Sequence, residues 1–598
     1  MIEPRIYRAA FLPALFALVL VAFSLQTPPH AVPQGLAADA LFEGTGAVNM
    51  VRDIGSSTPD RRAGGPGDDA VASRVKQALL SHGFPTTLDR FTQDGKRLVN
   101  VIGRRPGSSS KEIVVMAARD AATVPDEAGS ASDTAALIEF ARVFEGRASR
   151  RTLVLASVDG CTLGVAGARR FAEQLGDPGQ VEAELVLSNL GATRSRGPLV
   201  LGWSNDVGRG NVGLERTVNA SLREELGGVP HQEGAFAQFA RLTFPIAPGD
   251  QGVLLPAGID AARISGSGEL RPPGGGERVD VERYGSLGRA ALRAVSALDA
   301  AESAPKPGPD PYVSFAGKLL PAWPVQLLAL ALLLPALVAS IDALARARRR
   351  REPVSPWVVW LASSLLPFVI GLALALLLVL VGVAADAPPA PLDPRSVSLD
   401  TGAVCALIAT VFAVALAWIL ARSSVIRRAA TLPDPSAPGA ACVTSLAFAL
   451  LVLVLAFTNP YAALLLVPAA HLWMLATLTS VRLRGGLAMF LVGLLPVVAV
   501  ALYYLWRFQL GPLDGAYYLF LLVTGDQTGW LTTASGAVLL AIVGSVAAIL
   551  AARARHGGPE PERRPGRRAV DPPPQSIFGP GGHAGPGAIG NARSTLGR

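Results

Sequence analysis

The chain has 598 residues, 50% of them hydrophobic, and a formal net charge of +8. A mean hydropathy of +0.38 is too high for an ordinary soluble protein, and the length admits several domains. The positive balance does not point to nucleic acid, because much of the arginine flanks long apolar runs, where the positive-inside rule places it; the three cysteines, Cys161, Cys405 and Cys442, form no Cys-x-x-Cys pair and exclude a disulfide framework.

In chain order, the first apolar run is 9–25, preceded by Arg5 and Arg8. It reads as a signal peptide with a small-residue cleavage site at Ala38-Asp39-Ala40, or as an uncleaved anchor. The anchor is preferred, because Ala40 lies far from the run and cleavage normally follows closely. Both readings export what comes next. Residues 40–305 are polar and mixed, behind an N-terminal segment and linker at 1–39. A helical period over 70–82 ends at Gly83, and 112–118 is the short apolar run of a buried strand. Residues 131–144 are helical by period, starting at Ser132 or Asp133. A second buried strand falls at 151–158 and a helix at 163–175. Further strands fall at 181–190 and 198–203, and a closing helix at 279–298. This alternation predicts an α/β domain: an exported, mostly parallel sheet with helices on both faces. The working site of such a sheet lies at the carboxyl ends of its strands, so loops 118–130, 159–162 and 188–193 surround one cleft.

An all-α polytopic membrane bundle follows, over 306–555. Spanning a hydrocarbon core of ~30 Å takes about 20 apolar residues. Runs of that length occur at 319–344, 356–384, 401–421, 439–457, 461–481, 486–506 and 533–553. Basic clusters follow every second span: Arg346 to Arg351, Arg422 with Arg427 and Arg428, Arg482 with Arg484, then Arg553, Arg555, Arg563 and Arg564. The alternate loops are poor in charge. About eight helices with both termini cytoplasmic satisfy this pattern, which makes the chain a multi-pass plasma-membrane protein with its large domain extracytoplasmic. The apolar stretch 516–523 is too short to span and lies in the interface or re-enters. The Pro-, Gly- and Arg-rich tail, 556–598, is expected to be disordered. Within the spans, His471 is the one ionisable candidate for a function inside the membrane.

The order Asn100-Val101-Ile102-Gly103, Pro106-Gly107, 112–120, 128–139 and 158–167 resembles the zinc-dependent aminopeptidases of metallopeptidase family 28, over most of 70–300. The overall plan, a large exported domain behind one helix and ahead of a multispan bundle, is also similar to a membrane subunit of the eukaryotic GPI-anchor transamidase, although the Arg- and Ala-rich composition is more like that of a high-GC bacterium. The family resemblance implies an aminopeptidase-like fold, two zinc ions held by His, Asp and Glu, and a Glu acting as general base. The positions where it implies those groups do not hold them. The first His falls at Ala118, ahead of Asp120; the bridging Asp at Gly129, or Ser130 with a one-residue slip; the Glu-Glu pair at Cys161 and Thr162; a later Asp at Ser188. No His occurs in 268–280, where the last ligand is implied, and the exported region holds only His30, His82 and His231. Arg119 is expected in the cleft, where it would repel a cation.

The remaining acids near the expected cleft are Asp120, Asp126, Glu127, Asp133, Asp159 and Asp250, with Asp133 read as a helix cap. Cys161 reads as a small space-filling residue rather than a nucleophile, since no convincing base is at hand. Gly208-Arg209-Gly210-Asn211-Val212-Gly213 fits a dinucleotide pattern but comes late in the domain, and reads as a plain glycine-rich loop. These residues predict a catalytically inactive pseudo-peptidase that serves recognition or scaffolding at the cell envelope. It has no cofactor and no nucleic-acid partner. Membrane lipid, and an envelope peptide or protein, are its expected partners. The alternatives are an active membrane-bound zinc aminopeptidase, and a transporter or lipid-handling protein with an accessory domain.

Overall fold

The computed structural model describes residues 4–33, 42–228, 233–272, 277–429, 434–478 and 480–555. The Ala38-Asp39-Ala40 site, His231 and the tail from 556 lie outside the described residues.

Seven strands build one sheet: β1 (Thr86–Gln93), β2 (Lys96–Arg105), β3 (Glu112–Ala118), β4 (Thr152–Val158), β5 (Val181–Ser188), β6 (Val200–Leu201) and β7 (Ala261–Ser265), in the order β1-β2-β4-β3-β5-β7-β6. The central β4, β3, β5 and β7 are mutually parallel. β1 and β2 form an antiparallel hairpin, β2 pairs antiparallel with β4, and β6 pairs antiparallel with β7. The sheet is therefore mixed, where the sequence predicts a mostly parallel one. Part of the difference lies in the hairpin: Asp94 (φ 51°) and Gly95 (φ 73°) make its two-residue turn, and two positive φ values give the local twist that closes antiparallel strands; the rest is the antiparallel edge strand β6.

β3 begins and ends where the sequence places it, because an unbroken run buried on both faces has no other use than a central strand. One face of the sheet is covered by the helices Gly44–Ser57, Pro66–Ser81, Ser132–Phe144, Val212–Leu226 and Val281–Ala300, through Val51, Leu79, Phe140, Leu214 and Leu287 among others. The other face has thinner cover, from Ala166–Gln174 and the short Gln251–Leu254. Ala390, from a loop between two membrane helices, completes that second core. The predicted helix 163–175 starts only at Ala166, since Gly164 and Val165 both take positive φ. The glycine-rich 208–213 loop leads into the helix Val212–Leu226, capped by Asn211, whose Oδ1 accepts from the backbone N–H groups of Gly213 and Leu214. A Cβ at Gly213 would stand 2.6 Å from the Lys306 carbonyl, so this glycine serves the close approach of the 306 backbone to the start of the helix.

Seven helices among the described residues are long and apolar enough to cross a membrane: Arg5–Phe23, Ala322–Arg349, Ser355–Leu380, Thr401–Ile426, Pro438–Thr458, Leu483–Phe508 and Trp530–Arg555. The eighth predicted span, 461–481, is the 17-residue helix Pro460–Ala476, about 26 Å long at ~1.5 Å per residue. It is central to the bundle, where Val467 and Trp473 pack with Leu333, Val452 and Ile542. The segment expected not to span forms the helix Pro512–Thr524, which packs Tyr517, Phe520 and Leu521 against Ala375, Ala403 and Ala406.

Candidate functional site

The carboxyl ends of β3, β4 and β5 open, as expected, into one cleft. Its walls carry Ala118, Asp120, Asp126, Ser130, Asp133, Cys161 and Ser188, and its volume is about 50 Å³. That is room for a few water molecules, well short of the roughly 300–1,000 Å³ of a small-molecule site.

Most acids on the wall already have work within the fold; the exception is Asp250, buried on the same wall with Oδ1 unpartnered. Asp120 accepts from the Cys161 N–H at 2.8 Å, the Thr162 N–H at 2.9 Å and the Thr162 hydroxyl at 2.7 Å. It thereby holds the turn after β4, which Gly160 enters with φ 75°. Asp133 is not a helix cap. Its carboxylate accepts from the Asn189 and Leu190 N–H groups, at 2.8 and 3.0 Å, and so ties the Ser132–Phe144 helix to the loop after β5. Burial pushes the Asp133 carboxyl up to about 7, against the opposing pull of those two hydrogen bonds. Capping falls instead to Asp126, in the left-handed region with φ 53°, which accepts from the Ser130 N–H and hydroxyl. Gly129 follows from this: a Cβ there would meet Asp126 Oδ1 at 2.4 Å. The position of the implied bridging acid thus cannot carry a side chain unless Asp126 moves. Ser188 lines the cleft, and its hydroxyl accepts from Asn189 Nδ2 at 3.2 Å.

Three residues expected at the cleft lie elsewhere. Arg119 does not face the cleft. It is fully buried, pairs with Asp68 at 2.7 Å and Asp159 at 3.5 Å, and donates to the Val99 carbonyl. Asp159 is accordingly drawn under the sheet rather than into the cleft. Burial and the neighbouring Asp68 both push its pKa up, against Arg119. Glu127 also points elsewhere, toward Gly55.

The cations of the cleft are two that the sequence reading missed, Arg263 on β7 and Arg271 in the turn beyond it. The Arg263 guanidinium donates to the Pro248 and Glu269 carbonyls. Arg271 Nη2 reaches Cys161 Sγ at 3.3 Å. Burial pushes the Cys161 thiol up, Asp250 adds to this, and Arg271 opposes only part of it; a thiol held protonated is a poor nucleophile. Burial likewise raises Asp250 to about 6, with Arg263 opposing.

The mouth is closed by the membrane bundle. Pro391 and Asp393, in the loop between two spans, form part of the cleft lining. Asp393 accepts from the Arg271 N–H at 2.7 Å and the Arg395 N–H at 2.9 Å, and the Arg395 guanidinium donates to the Arg271 carbonyl. Tyr518 fixes the same loop by donating to the Leu392 carbonyl at 2.9 Å. Among the described residues, no three His, Cys, Asp or Glu side chains gather into a group suited to a metal ion. The donors do not fit the zinc pair that the resemblance implies. Asp120, Asp126, Asp133 and Asp393 are bonded to backbone N–H groups, and the remaining aspartate, Asp250, stands with the guanidinium groups of Arg263 and Arg271. His30 is exposed, and His82 pairs with Glu145 at 3.0 Å, away from the cleft.

In the bundle, His471 Nδ1 accepts from the Tyr7 hydroxyl at 3.1 Å, while Nε2 donates to the Leu332 carbonyl at 2.9 Å. Both ring nitrogens are satisfied by neighbouring helices, as a neutral structural histidine requires.

No family model and no curated protein matches the chain. Among solved structures it is similar to a zinc aminopeptidase from Bacillus subtilis, at 13% identity and TM-score 0.35 over 42% of this chain and 94% of that one. It is also similar to an aminopeptidase from Aneurinibacillus sp. strain AM-1, at 12% identity and TM-score 0.36 over 46% and 96%, and to a glutaminyl cyclase from an Acidobacteriales bacterium, at 16% identity and TM-score 0.34 over 43% and 95%.

Proposed function

We propose that this is a multi-pass membrane protein whose large domain is a catalytically silent, peptidase-derived recognition and scaffolding unit, facing the extracytoplasmic side with both termini cytoplasmic. The observation that carries the reading is the commitment to loop backbone of the two acids just past the end of β3 and at the start of the Ser132–Phe144 helix. Asp120 and Asp133 each accept two backbone N–H bonds, so each carboxylate is oriented by the loop it holds rather than toward a shared ligand. What the cleft does receive is a segment of polypeptide, Pro391 to Asp393, with a carboxylate set against the Arg271 turn. A site that seats its own loop in this way suits recognition of an extended peptide bearing an acid, and an envelope peptide or partner protein is the ligand class we assign to it. The helix Pro4–Phe23 acts as a retained anchor, a role supported by the packing of Ile6 and Tyr7 against Ala336, Ala339 and Met474.

The test is metal content. Full-length protein is purified in detergent, incubated with zinc, desalted and analysed by mass spectrometry. Near-zero zinc per chain is expected, with no change of melting temperature on adding a chelator. One or two tightly held zinc ions would overturn the silent-domain reading and restore the aminopeptidase.

A further inference from the structure

The bundle contains a buried cation that the function above does not use. Arg422 lies near the end of the span Thr401–Ile426, about 32 Å of helix beyond Thr401 and hence at the membrane face remote from the polar domain. It follows directly on a π-helical turn, Ala417–Ala421, a feature often found at functional sites because it re-aims the residues beside it. Arg422 is only 8% exposed. Its guanidinium stands between two indoles, 5.0 Å from the Trp360 ring centre and 4.7 Å from that of Trp418. Its Nε donates to the Ser364 hydroxyl at 3.1 Å, and that hydroxyl meets Ser545 at 3.1 Å. Nη2 is buried and has no hydrogen-bond partner.

No carboxylate among the described residues pairs with this guanidinium. Asp342, at the same end of the bundle, is taken by Arg346 at 2.7 Å. Two aromatic faces stabilise a cation, but they do not supply the acceptors that its N–H edge needs. A charge held in a bundle without a counter-ion is costly, and such residues mark binding sites by default. The missing partner is an anion with several acceptor oxygens at the level of the lipid headgroups. The surroundings favour negative charge, because Arg348 and Arg349 end the helix Ala322–Arg349 at this face, Arg350 follows as its C-cap, and all three are exposed. Trp360 and Trp418 are the amphipathic rings expected at headgroup depth.

We propose that Arg422, with the Ser364 hydroxyl beside it and Trp360 and Trp418 as walls, binds the phosphate oxygens of an anionic membrane phospholipid. The phosphodiester accepts from the guanidinium edge, and the acyl chains lie along the apolar surface of the same span, where Ile408, Val411 and Phe412 are exposed.

Native mass spectrometry of the full chain tests this and separates lipid from free phosphate by mass. Protein in detergent is given equal amounts of palmitoyl-oleoyl phosphatidylglycerol and phosphatidylcholine, and in a second arm inorganic phosphate alone. Wild type is expected to retain one phosphatidylglycerol with several-fold preference over phosphatidylcholine. In Arg422→Gln that preference falls to about one, and in Arg422→Lys part of it remains. Should Arg422→Gln fail to fold, Ser364→Ala removes the Nε acceptor and is expected to lower the preference at least two-fold. Arg349→Gln with Arg350→Gln, on the exposed surface, leaves the retained lipid in place. An undiminished preference in Arg422→Gln, its loss in the surface variant instead, or an adduct of phosphate mass without lipid would each overturn the assignment.

Discussion

Glu184 shows how far this domain departs from comfortable packing. It stands on β5 with 0% exposure, and neither carboxylate oxygen has a hydrogen-bond partner. Burial pushes its pKa up to about 8, and Asp250 adds to the effect. Between the ordinary value near 4.5 and that raised one, the folded protein holds a proton that the unfolded chain releases. Stability is therefore full below about pH 4.5 and declines as pH rises through 8. Glu184→Gln removes the ionisation and keeps the shape. We expect the variant to match wild type near pH 5 and to exceed it near pH 9, by roughly 2–4 kcal/mol, in thermal or denaturant unfolding. An advantage of the same size at both pH values would mean that the carboxyl is not desolvated. Asp133, raised to about 7, contributes a pH dependence of the same sign. Its Asn variant is a poor control, because an amide N–H₂ would face one of the two loop N–H groups that now donate to the carboxylate.

At the scale of elements, the junction between the domain and the bundle is ionic. Arg507, at the end of the span Leu483–Phe508, pairs with Glu269 at 2.9 Å and Glu233 at 3.1 Å. Arg241, from the helix Ala235–Thr243, pairs with both carboxylates and lies 5.1 Å from the Trp203 ring. Burial pushes Glu269 up, but Arg241 and Arg507 together outweigh it and hold the carboxyl below its usual range. This network stabilises above about pH 4.5 and is lost as pH falls through the depressed value. Arg241→Met leaves two buried carboxylates to a single arginine and should cost about 3–5 kcal/mol, whereas replacing an exposed arginine such as Arg348 should cost little. Equal losses at the two sites, measured by denaturant unfolding in detergent, would show that the network is solvated. Very little of this junction is legible in the sequence. β3, β4 and the Ser132–Phe144 helix are readable because a doubly buried strand and an amphipathic helix each leave a local period. So are the cleft positions Ala118, Asp120, Cys161 and Ser188, since strand ends follow from strands. The β1–β2 hairpin carries a local signal in Asp94-Gly95, but β1, at the sheet edge and only half-buried, lacks the apolar run that draws attention. Arg119 turning inward to Asp68, Arg271 reaching Cys161 and Asp393 entering from the bundle are pairings across tens to hundreds of residues. Nothing local in the sequence encodes them.

On the scale of the whole molecule, the polar domain is not a passenger on its helices. At least three separate segments of the bundle touch it. Ala390 completes the thin core on one face of the sheet, and Asp393 closes the cleft. Asn459, at the turn between two helices, donates to the Leu242 and Thr243 carbonyls. Val500, Tyr503, Tyr504 and Phe508 pack with Ala240, Ile246 and Leu270, and Tyr504 donates to the Phe244 carbonyl. These three segments are loops or helix ends poor in net charge, the ones the arginine pattern assigns to the far side from the basic clusters, so the charge pattern and the contacts agree on which ends of the helices meet the domain. The consequence is measurable. Residues 42–305 expressed alone lose Ala390, Asp393 and the whole aromatic cluster around Tyr504, while Arg241, Glu233 and Glu269 lose Arg507. Apolar surface at Phe236, Phe239 and Phe244 is then uncovered, and at ~25 cal/mol per Å² even a few hundred Å² is a large share of a domain's margin. We expect the isolated domain to melt well below its transition in the full chain, by roughly 10 °C or more, and to bind a hydrophobic dye. The drop should be reproduced in part by Asp393→Ala in the intact protein, which frees the loop but leaves the aromatic cluster in place. If the isolated domain instead melts at the full-chain temperature and binds no dye, the contacts are incidental, and bundle and domain are two proteins sharing a chain. If it falls as expected, the cleft, its loop and the helices behave as one folding unit, and whatever engages the cleft must displace a segment anchored in the membrane.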